Sequence, residues 1–190
     1  MKNNNQGKLF VVSGFSGAGK GTVLKALFTK RDDLYLSVSA TTRKPRNSEI
    51  EGVSYHFWSK EQFEENIRNH KMLEYAVYCD HYYGTPLDMV DRKLSEGVDV
   101  ILEIEVQGAS KVKQVRPDAV FIFILPPSIE ELQRRLEFRA TETPEKIQER
   151  LQAVKHEIKM LNNYDYVIIN DDAQRAANDL NEIINSTHVS

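Results

Sequence analysis

Four nearly continuous apolar runs recur along the chain, at residues 9–12, 98–104, 119–125 and 166–169. Strands covered by helices on both faces have this composition, because neither face needs to alternate with a polar one. The runs therefore predict the strands of a buried parallel sheet.

Amphipathic helical patterns separate these runs. The first occupies residues 22–29, and the others begin at residues typical of helix starts, namely Thr85-Pro86, Ser128, Thr143-Pro144 and Asp172. At the first of these starts, we expect Thr85 as the N-cap and Pro86 in the first helical position. Strands that alternate with helices favour an α/β fold, in which helical layers cover a parallel core sheet in a three-layer sandwich.

The stretch from about residue 37 to residue 84 breaks this alternation. Its apolar runs are shorter and alternate with polar residues, and one short helix is predicted after Ser59. A small sheet with one solvated face has this pattern. We interpret the stretch as an insertion between the first two core strands.

Length and charge exclude several classes of protein. The 190 residues, 41% of them hydrophobic, are enough for one domain with a full core, and the net charge of −3 does not favour a nucleic-acid partner. Cys79 is the only cysteine, which favours a reducing compartment. The polar N-terminus has no signal segment and no run reaches membrane-spanning length, so we expect a cytoplasmic protein without a membrane partner.

A glycine-rich loop joins the first apolar run to the first helix. It consists of Gly14-Phe15-Ser16-Gly17-Ala18-Gly19-Lys20-Gly21-Thr22. Glycines let successive backbone N–H groups converge on one anion, and the helix N-terminus and Lys20 add positive charge. This context predicts a phosphate-binding loop for a nucleoside triphosphate, with all nine residues at the ATP site. Gly21 replaces the usual Ser or Thr, so Thr22 is the candidate hydroxyl near Mg²⁺.

The insertion carries the parts of a second, acceptor site. Arg43 and Arg46 suit a phosphate, whereas Glu74 stands in an apolar run where a bare carboxylate is costly. Tyr55, Tyr83, Ser39 and Thr85 could add hydroxyl groups. Each has a structural alternative: a solvated loop for the arginines, packing for the tyrosines, a helix cap for Thr85, and an ion pair across the small sheet for Glu74. The residues alone leave the identity of the base open.

Five motifs, in order, resemble those of guanylate kinases. After the glycine loop come Ser37–Arg46 with Gly52 and Tyr55, then Tyr82-Tyr83-Gly84-Thr85, Ile104-Glu105-Val106-Gln107-Gly108, Phe123–Ser128 and Asn170-Asp171-Asp172. The resemblance implies transfer of the γ-phosphoryl group of ATP to GMP, with Mg²⁺ as cofactor. It also implies a core at 8–36, 86–130 and 150–190, a GMP-binding insertion at about 37–85 and a helical lid at about 131–149.

The resemblance also implies a role for each matching residue. It implies guanine contacts for Ser39, Glu74 and Thr85, and GMP phosphate contacts for Arg43, Arg46, Tyr55 and Tyr83, with Glu103 close to GMP. Glu105 would hold water on Mg²⁺ and Asn170 would lie near the adenine. The catalytic set would be Lys20, Arg43, Arg46, Arg135, Arg139 and Arg150. Phe15, Phe138 and Ala140 depart from the family pattern, and the last two could stiffen the lid.

Two other classes stay open at this point. A kinase for another nucleoside monophosphate would share the glycine loop, but Ser39, Glu74 and Thr85 argue against it. A guanylate-kinase-like binding module without catalysis would typically have a damaged loop, whereas Gly14, Gly19 and Lys20 are intact. The expected partners are ATP and GMP, with dGMP as a further candidate acceptor, for a monomer or homodimer.

Overall fold

The computed structural model describes residues 6–78, 80–138 and 144–188. These residues form nine strands: β1 (Leu9–Gly14), β2 (Leu34–Leu36), β3 (Ala40–Thr41), β4 (His56–Phe57), β5 (Met72–Tyr78), β6 (His81–Pro86), β7 (Asp99–Glu103), β8 (Val120–Leu125) and β9 (Tyr166–Ile169). They also form seven α-helices: α1 (Lys20–Phe28), α2 (Lys60–Arg68), α3 (Leu87–Ser95), α4 (Val106–Val115), α5 (Ile129–Phe138), α6 (Pro144–Glu157) and α7 (Ala173–Ser186). A 3-10 helix, Ile158–Asn163, follows α6 directly.

The chain divides into two compact units. The first unit contains the residues up to Leu9, Tyr35–Leu102 and Gln107–Ala119. The second unit contains Phe10–Leu34, Glu103–Val106 and the residues from Val120 onward.

The second unit is built on parallel strands in the order β1-β8-β9. Val12 pairs with Ile122, and Ile124 pairs with Ile168. Every residue of β1 is buried, as the continuous apolar run predicts. Helices α1 and α7 pack against each other, and Lys30 of the turn after α1 donates a hydrogen bond to Asn178 of α7.

The first unit contains a four-stranded mixed sheet in the order β4-β3-β6-β5. Strands β3 and β4 are parallel, whereas β6 runs antiparallel to both β3 and β5. The fully buried ring of Phe63, on α2, stacks on Tyr82 at 5.1 Å and meets Trp58 edge-on at 5.7 Å. These aromatic contacts hold α2 against one face of the small sheet. Strands β2 and β7 lie side by side in the same unit.

The observed elements confirm the α/β class with a parallel core sheet and a smaller mixed sheet. The caps predicted at Ser59, Ser128 and Asp172 all form, because each side chain accepts a hydrogen bond from a backbone N–H three residues later. Helix α4 and strand β2 were not predicted. Cys79, Arg139, Ala140 and Thr143 lie outside the described residues.

The predicted helix start at Thr85-Pro86 is wrong. Both residues belong to strand β6, and the helix begins at Leu87 with Pro86 in the extended N-cap position. The Thr85 hydroxyl donates to the Glu74 carboxylate at 2.9 Å, so it caps no helix. The pairing of β6 with β5 overrides the local tendency of Thr-Pro to start a helix.

Across 6–78, 80–138 and 144–188, no helix is both long enough and apolar enough to cross a membrane.

The cap of α7 gives a test of local stability. The Asp172 carboxylate accepts from the Arg175 N–H at 2.9 Å, so Asp172→Ala should lower the free energy of unfolding by about 1 kcal/mol. Asp179→Ala, at an exposed position inside the same helix, is the matched control and should change it by less than about 0.5 kcal/mol. Urea denaturation of the two variants measures both values. Equal losses would contradict the assignment of the cap.

Candidate active site

The backbone of the glycine loop curls at Gly14, Gly17 and Gly19, which have φ angles of 152°, 91° and 90°. At Gly19 a Cβ would also lie 2.5 Å from the amide nitrogen of Asn170. Two separate reasons therefore require glycine at position 19: the left-handed backbone conformation and the close approach of the Asn170 side chain. It is the N-cap of α1, and its carbonyl accepts bonds from the Thr22 and Val23 N–H groups. A glycine loop that leads into a helix N-terminus is the type of site that binds phosphate.

Lys20 is the first residue of α1, and its side chain turns back over the loop. Its ammonium group donates to the carbonyls of Gly14 at 2.7 Å and Phe15 at 3.3 Å. The Glu105 carboxylate lies 3.9 Å from the same nitrogen. An ammonium group has three hydrogens, so this arrangement leaves one to contact a phosphate oxygen.

The Ala18 carbonyl accepts two hydrogen bonds from outside the loop. Arg135, on α5, donates to it at 3.1 Å, and the Asn170 amide, just after β9, donates at 2.8 Å. Arg135 also donates to the Asn170 carbonyl at 2.9 Å and to the Glu131 carboxylate at 2.8 Å. Asn170 is 4% exposed, so its side chain is buried where it binds the loop carbonyl.

Two more side chains of the second unit complete the surroundings of the loop. Arg150, on α6, donates a hydrogen bond to the Ser16 hydroxyl. The Phe15 ring is 1% exposed and packs edge-on against Phe123 at 5.1 Å. Of the predicted ATP-site residues, Phe15 therefore contributes through its backbone only, and its ring belongs to the core.

Three carboxylates lie near the start of α1. The Glu103 carboxylate would be 3.6 Å from a Cβ on Gly21, and Glu105 lies beside Lys20. Burial raises the pKa of Glu157, on α6; the charge of Glu105 raises it further, and Lys20 opposes both effects. Burial also raises the pKa of the Tyr164 hydroxyl to about 12. Glu157 was not among the predicted residues.

A magnesium ion that accompanies a nucleotide suits this donor set. Mg²⁺ keeps several waters and uses one or two carboxylates together with substrate phosphates. Glu105 is 67% exposed at its side chain and stands next to Lys20, and Thr22 is exposed in the first turn of α1. Within the described residues, no group of three or more His, Cys, Asp or Glu side chains forms a metal site of its own.

In the first unit, Glu74 is buried in the small sheet. Only 7% of it is exposed, and its carboxylate accepts a hydrogen bond from Thr85, its partner across the β5–β6 pair. Burial raises the pKa of the Glu74 carboxyl, whereas the Thr85 bond and the charge of Lys111 lower it. Lys111, on α4, donates to the Tyr75 carbonyl and places its ammonium 5.1 Å from the Tyr75 ring. No arginine or lysine of the described residues forms the ion pair that was considered for Glu74.

Arg43 is held from several sides. Its guanidinium donates to the Tyr83 hydroxyl at 3.2 Å, and both terminal nitrogens donate to Glu49, at 2.9 and 2.8 Å. It lies 5.6 Å from the centre of the Tyr55 ring. The Glu49 carboxylate raises the pKa of Arg43. The alternative of a solvated loop is therefore wrong for Arg43, which the sheet holds in place.

Arg46, Tyr55, Tyr83 and Ser39 surround this group. The Tyr55 and Tyr83 rings meet edge-on at 6.1 Å, which brings both predicted phosphate tyrosines to Arg43. The Arg46 side chain is exposed, and Ser39, which is half-buried, directly precedes β3. Because strand side chains alternate, Tyr83 and Thr85 share one face of β6, about 7 Å apart along the strand.

Three residues that hold the predicted groups were missed by sequence reasoning. Glu49 binds Arg43, Glu131 binds Arg135, and Lys111 donates to the Tyr75 carbonyl beside Glu74 and lowers the pKa of the Glu74 carboxyl by its charge. The signal for Glu49 was present, because an acidic residue follows Arg46 by three positions in a basic loop. Lys111 gave no such signal, since only folding brings α4 to β5.

The parallel strands, the glycine loop with its lysine and the helix that follows define a P-loop nucleotide-binding protein. The family model described as guanylate kinase matches residues 6–187. The guanylate kinase of Clostridioides difficile is 52% identical over 95% of this chain and 88% of its own length, and that of Bacillus cereus is 50% identical over 97% and 91%. The crystal structure of guanylate kinase from Anaplasma phagocytophilum superposes with a TM-score of 0.78 at 33% identity, covering 97% of this chain and 88% of its own. The chain belongs to the guanylate kinase family and is an enzyme.

The geometry of the loop predicts the effect of one added methyl group. Gly19→Ala would force a side chain into a φ of 90° and against Asn170, so ATP affinity should fall by about fivefold to 150-fold, as expected for backbone strain of about 1–3 kcal/mol. Gly21→Ala is the comparison, because its nearest neighbour would lie 3.6 Å away. Titration calorimetry with ATP measures both affinities. A larger loss in Gly21→Ala would contradict this geometry.

Proposed function

We propose that the chain transfers the γ-phosphoryl group of ATP to GMP and so produces ADP and GDP, a reaction of purine nucleotide metabolism. The observation that carries the proposal is the buried pair of Glu74 and Thr85 on the same face of the small sheet as Tyr83 and Arg43. One face thus offers a carboxylate for a base and a cationic group for a phosphate. The family assignment and the intact glycine loop support the same reaction.

Guanine fits the chemistry of the base end. Its edge presents two adjacent N–H donors, and an ionised Glu74 accepts both. The Thr85 hydrogen is committed to Glu74, so the Thr85 oxygen can only accept further bonds. Ser39 is then the hydroxyl that donates to an acceptor atom of the base. Adenine lacks the matching pair of donors, and a polar site left unpaired rejects an analogue strongly.

The phosphate end uses Arg43, Arg46, Tyr55 and Tyr83. A guanidinium group has five N–H donors and suits phosphate oxygens. Arg46 presents an exposed side chain, whereas Arg43 is fixed by Tyr83 and Glu49. Arg43 therefore gives the phosphate a fixed position, and Arg46 supplies a cation that can close on it.

ATP is held by the second unit. The loop N–H groups and the remaining Lys20 hydrogen contact the β- and γ-phosphates. Arg135 uses three of its five N–H groups on Glu131, Ala18 and Asn170, which leaves two for the nucleotide. Arg150, beside Ser16, neutralises charge on the transferred group, and Arg139 belongs to the same set by resemblance. Phosphoryl transfer depends mainly on such positioning and charge neutralisation.

Mg²⁺ is the cofactor of the proposed reaction, and it would supply positive charge that neutralises the phosphates of ATP. Glu105 would hold its waters, and Thr22 is the hydroxyl that we assign near it. Glu103 stands beside Gly21, at the end of the core strand β7. We assign it to the same proposal as a carboxylate close to GMP. The single cysteine of the sequence supports a cytoplasmic location.

The acceptor tests the proposal directly. ADP release from ATP and Mg²⁺ should be fast with GMP and close to background with AMP, CMP, UMP or dTMP, since only guanine matches Glu74 and Thr85. A coupled assay with each monophosphate offered separately measures this. Turnover with another monophosphate would overturn the role of Glu74. ATP binding without any turnover would point to the lid substitutions at Phe138 and Ala140, and the absence of ATP binding would indicate a binding module.

The pH dependence of GMP use tests Glu74 itself. Only the carboxylate form accepts two N–H donors, and burial raises the pKa of Glu74. The value of kcat/KM for GMP should therefore fall on acidification at a higher pH than an ordinary glutamate would give, while KM for ATP stays level. Glu74→Gln should raise KM for GMP by at least about tenfold and abolish this acid limb, because an amide does not titrate. An unchanged profile in the variant would remove Glu74 from base recognition.

A further inference from the structure

Glu49 occupies a central position in the loop that carries both acceptor-site arginines. Its carboxylate receives three hydrogen bonds from that loop: two from the Arg43 guanidinium, at 2.9 and 2.8 Å, and one from the Arg46 backbone N–H, at 2.8 Å. The Glu49 N–H donates to the Arg46 carbonyl at 3.0 Å, which closes a turn. The loop is therefore tied at both arginines by one side chain.

The contact is shielded from solvent, although the loop around it is exposed. The side chains of Arg43 and Glu49 are 16% and 15% exposed, whereas residues 44–48 are exposed. The Arg43 and Arg46 bonds lower the pKa of Glu49 to about 2, so it stays ionised throughout the working range of the enzyme. A charged, bidentate contact of this kind has a fixed geometry that an exposed pair of long side chains lacks.

The donors of Arg43 can be counted. Its Nε–H goes to Tyr83, one Nη1 hydrogen goes to Lys44 and another to Glu49, and one Nη2 hydrogen goes to Glu49. One Nη2 hydrogen remains, in a direction that Glu49 and Tyr83 determine. Arg43 is not a mobile cation in this arrangement, because its guanidinium plane is fixed by two neighbours.

We propose that Glu49 is a positioning residue for GMP phosphate recognition, which holds Arg43 and the Arg46 backbone in the geometry that binds the phosphate. The proposal rests on the proposed function, since it needs Arg43 and Arg46 to bind that phosphate. It assigns Glu49 no contact with the substrate. Its effect should be limited to the phosphate, because Glu74 and Thr85 bind the base through a different set of bonds.

Glu49→Gln tests this role. The variant keeps the size of the side chain but replaces a charged pair by neutral hydrogen bonds, so KM for GMP should rise at least about tenfold. The competitive inhibition constant of guanosine, which has the base and lacks the phosphate, should stay unchanged, as should KM for ATP. Steady-state kinetics with the full chain provide all three values.

Glu51→Gln is the matched control. Glu51 lies two residues along the same loop and accepts bonds from the Phe57 N–H and the His56 ring, but from no arginine of the described residues. Its KM for GMP should equal that of the parent. A rise equal to that of Glu49→Gln would mean that any loosening of the loop has this effect, and it would overturn the proposal.

Each other outcome is decisive. Weaker binding of guanosine together with GMP would indicate general damage, and an unchanged KM would show that Arg43 needs no anchor. A lower KM for GMP would show that the Glu49 carboxylate competes with the phosphate. Any of these overturns the positioning role. Arg43→Lys separates this from failure of the proposed function: if it leaves KM for GMP unchanged, the phosphate site itself is misassigned.

Discussion

The Ala18 carbonyl is the contact on which the shape of the glycine loop depends. A phosphate loop needs its N–H groups to converge, which turns its carbonyl groups outward, where they require donors of their own. Arg135 and Asn170 supply these donors to one oxygen from two different elements, α5 and the end of β9. The loop is thus held before any nucleotide arrives, and binding does not have to order it.

The same principle governs the cations of both units. Arg43 is tied to Glu49 and Arg135 to Glu131, so each guanidinium has a carboxylate on one edge and protein oxygens on another. Phosphoryl transfer gains most from charges that are already oriented when the reaction begins. The carboxylates lower the net charge of each site. They also fix the direction of the guanidinium hydrogens that are not bonded to the protein. A site built from unanchored lysines would have more net positive charge and less geometric selectivity.

The sequence predicted the elements whose cause is local. The strands, the glycine loop and the caps at Ser59, Ser128 and Asp172 depend on neighbouring residues, and all form as expected. The burial predicted for 166–169 is wrong, because β9 is an edge strand and only Ile168 of its four residues is buried. Thr85-Pro86 was misread because its partner, Glu74, lies eleven positions earlier on another strand. Lys111 could not be foreseen for the same reason. The anchors Glu49 and Glu131 are close in sequence to their arginines, so the sequence held a signal for them, although a weak one because surface ion pairs are common.

Trp58 makes the fluorescence of the protein report on a single place in the fold. It is the only tryptophan of the chain, and it lies in the first unit, edge-on to Phe63 and stacked with His56 at 6.2 Å. The emission of native tryptophan therefore reports the surroundings of the small sheet. The enzyme therefore carries an intrinsic optical label in the unit that contains the small sheet, without any engineered dye.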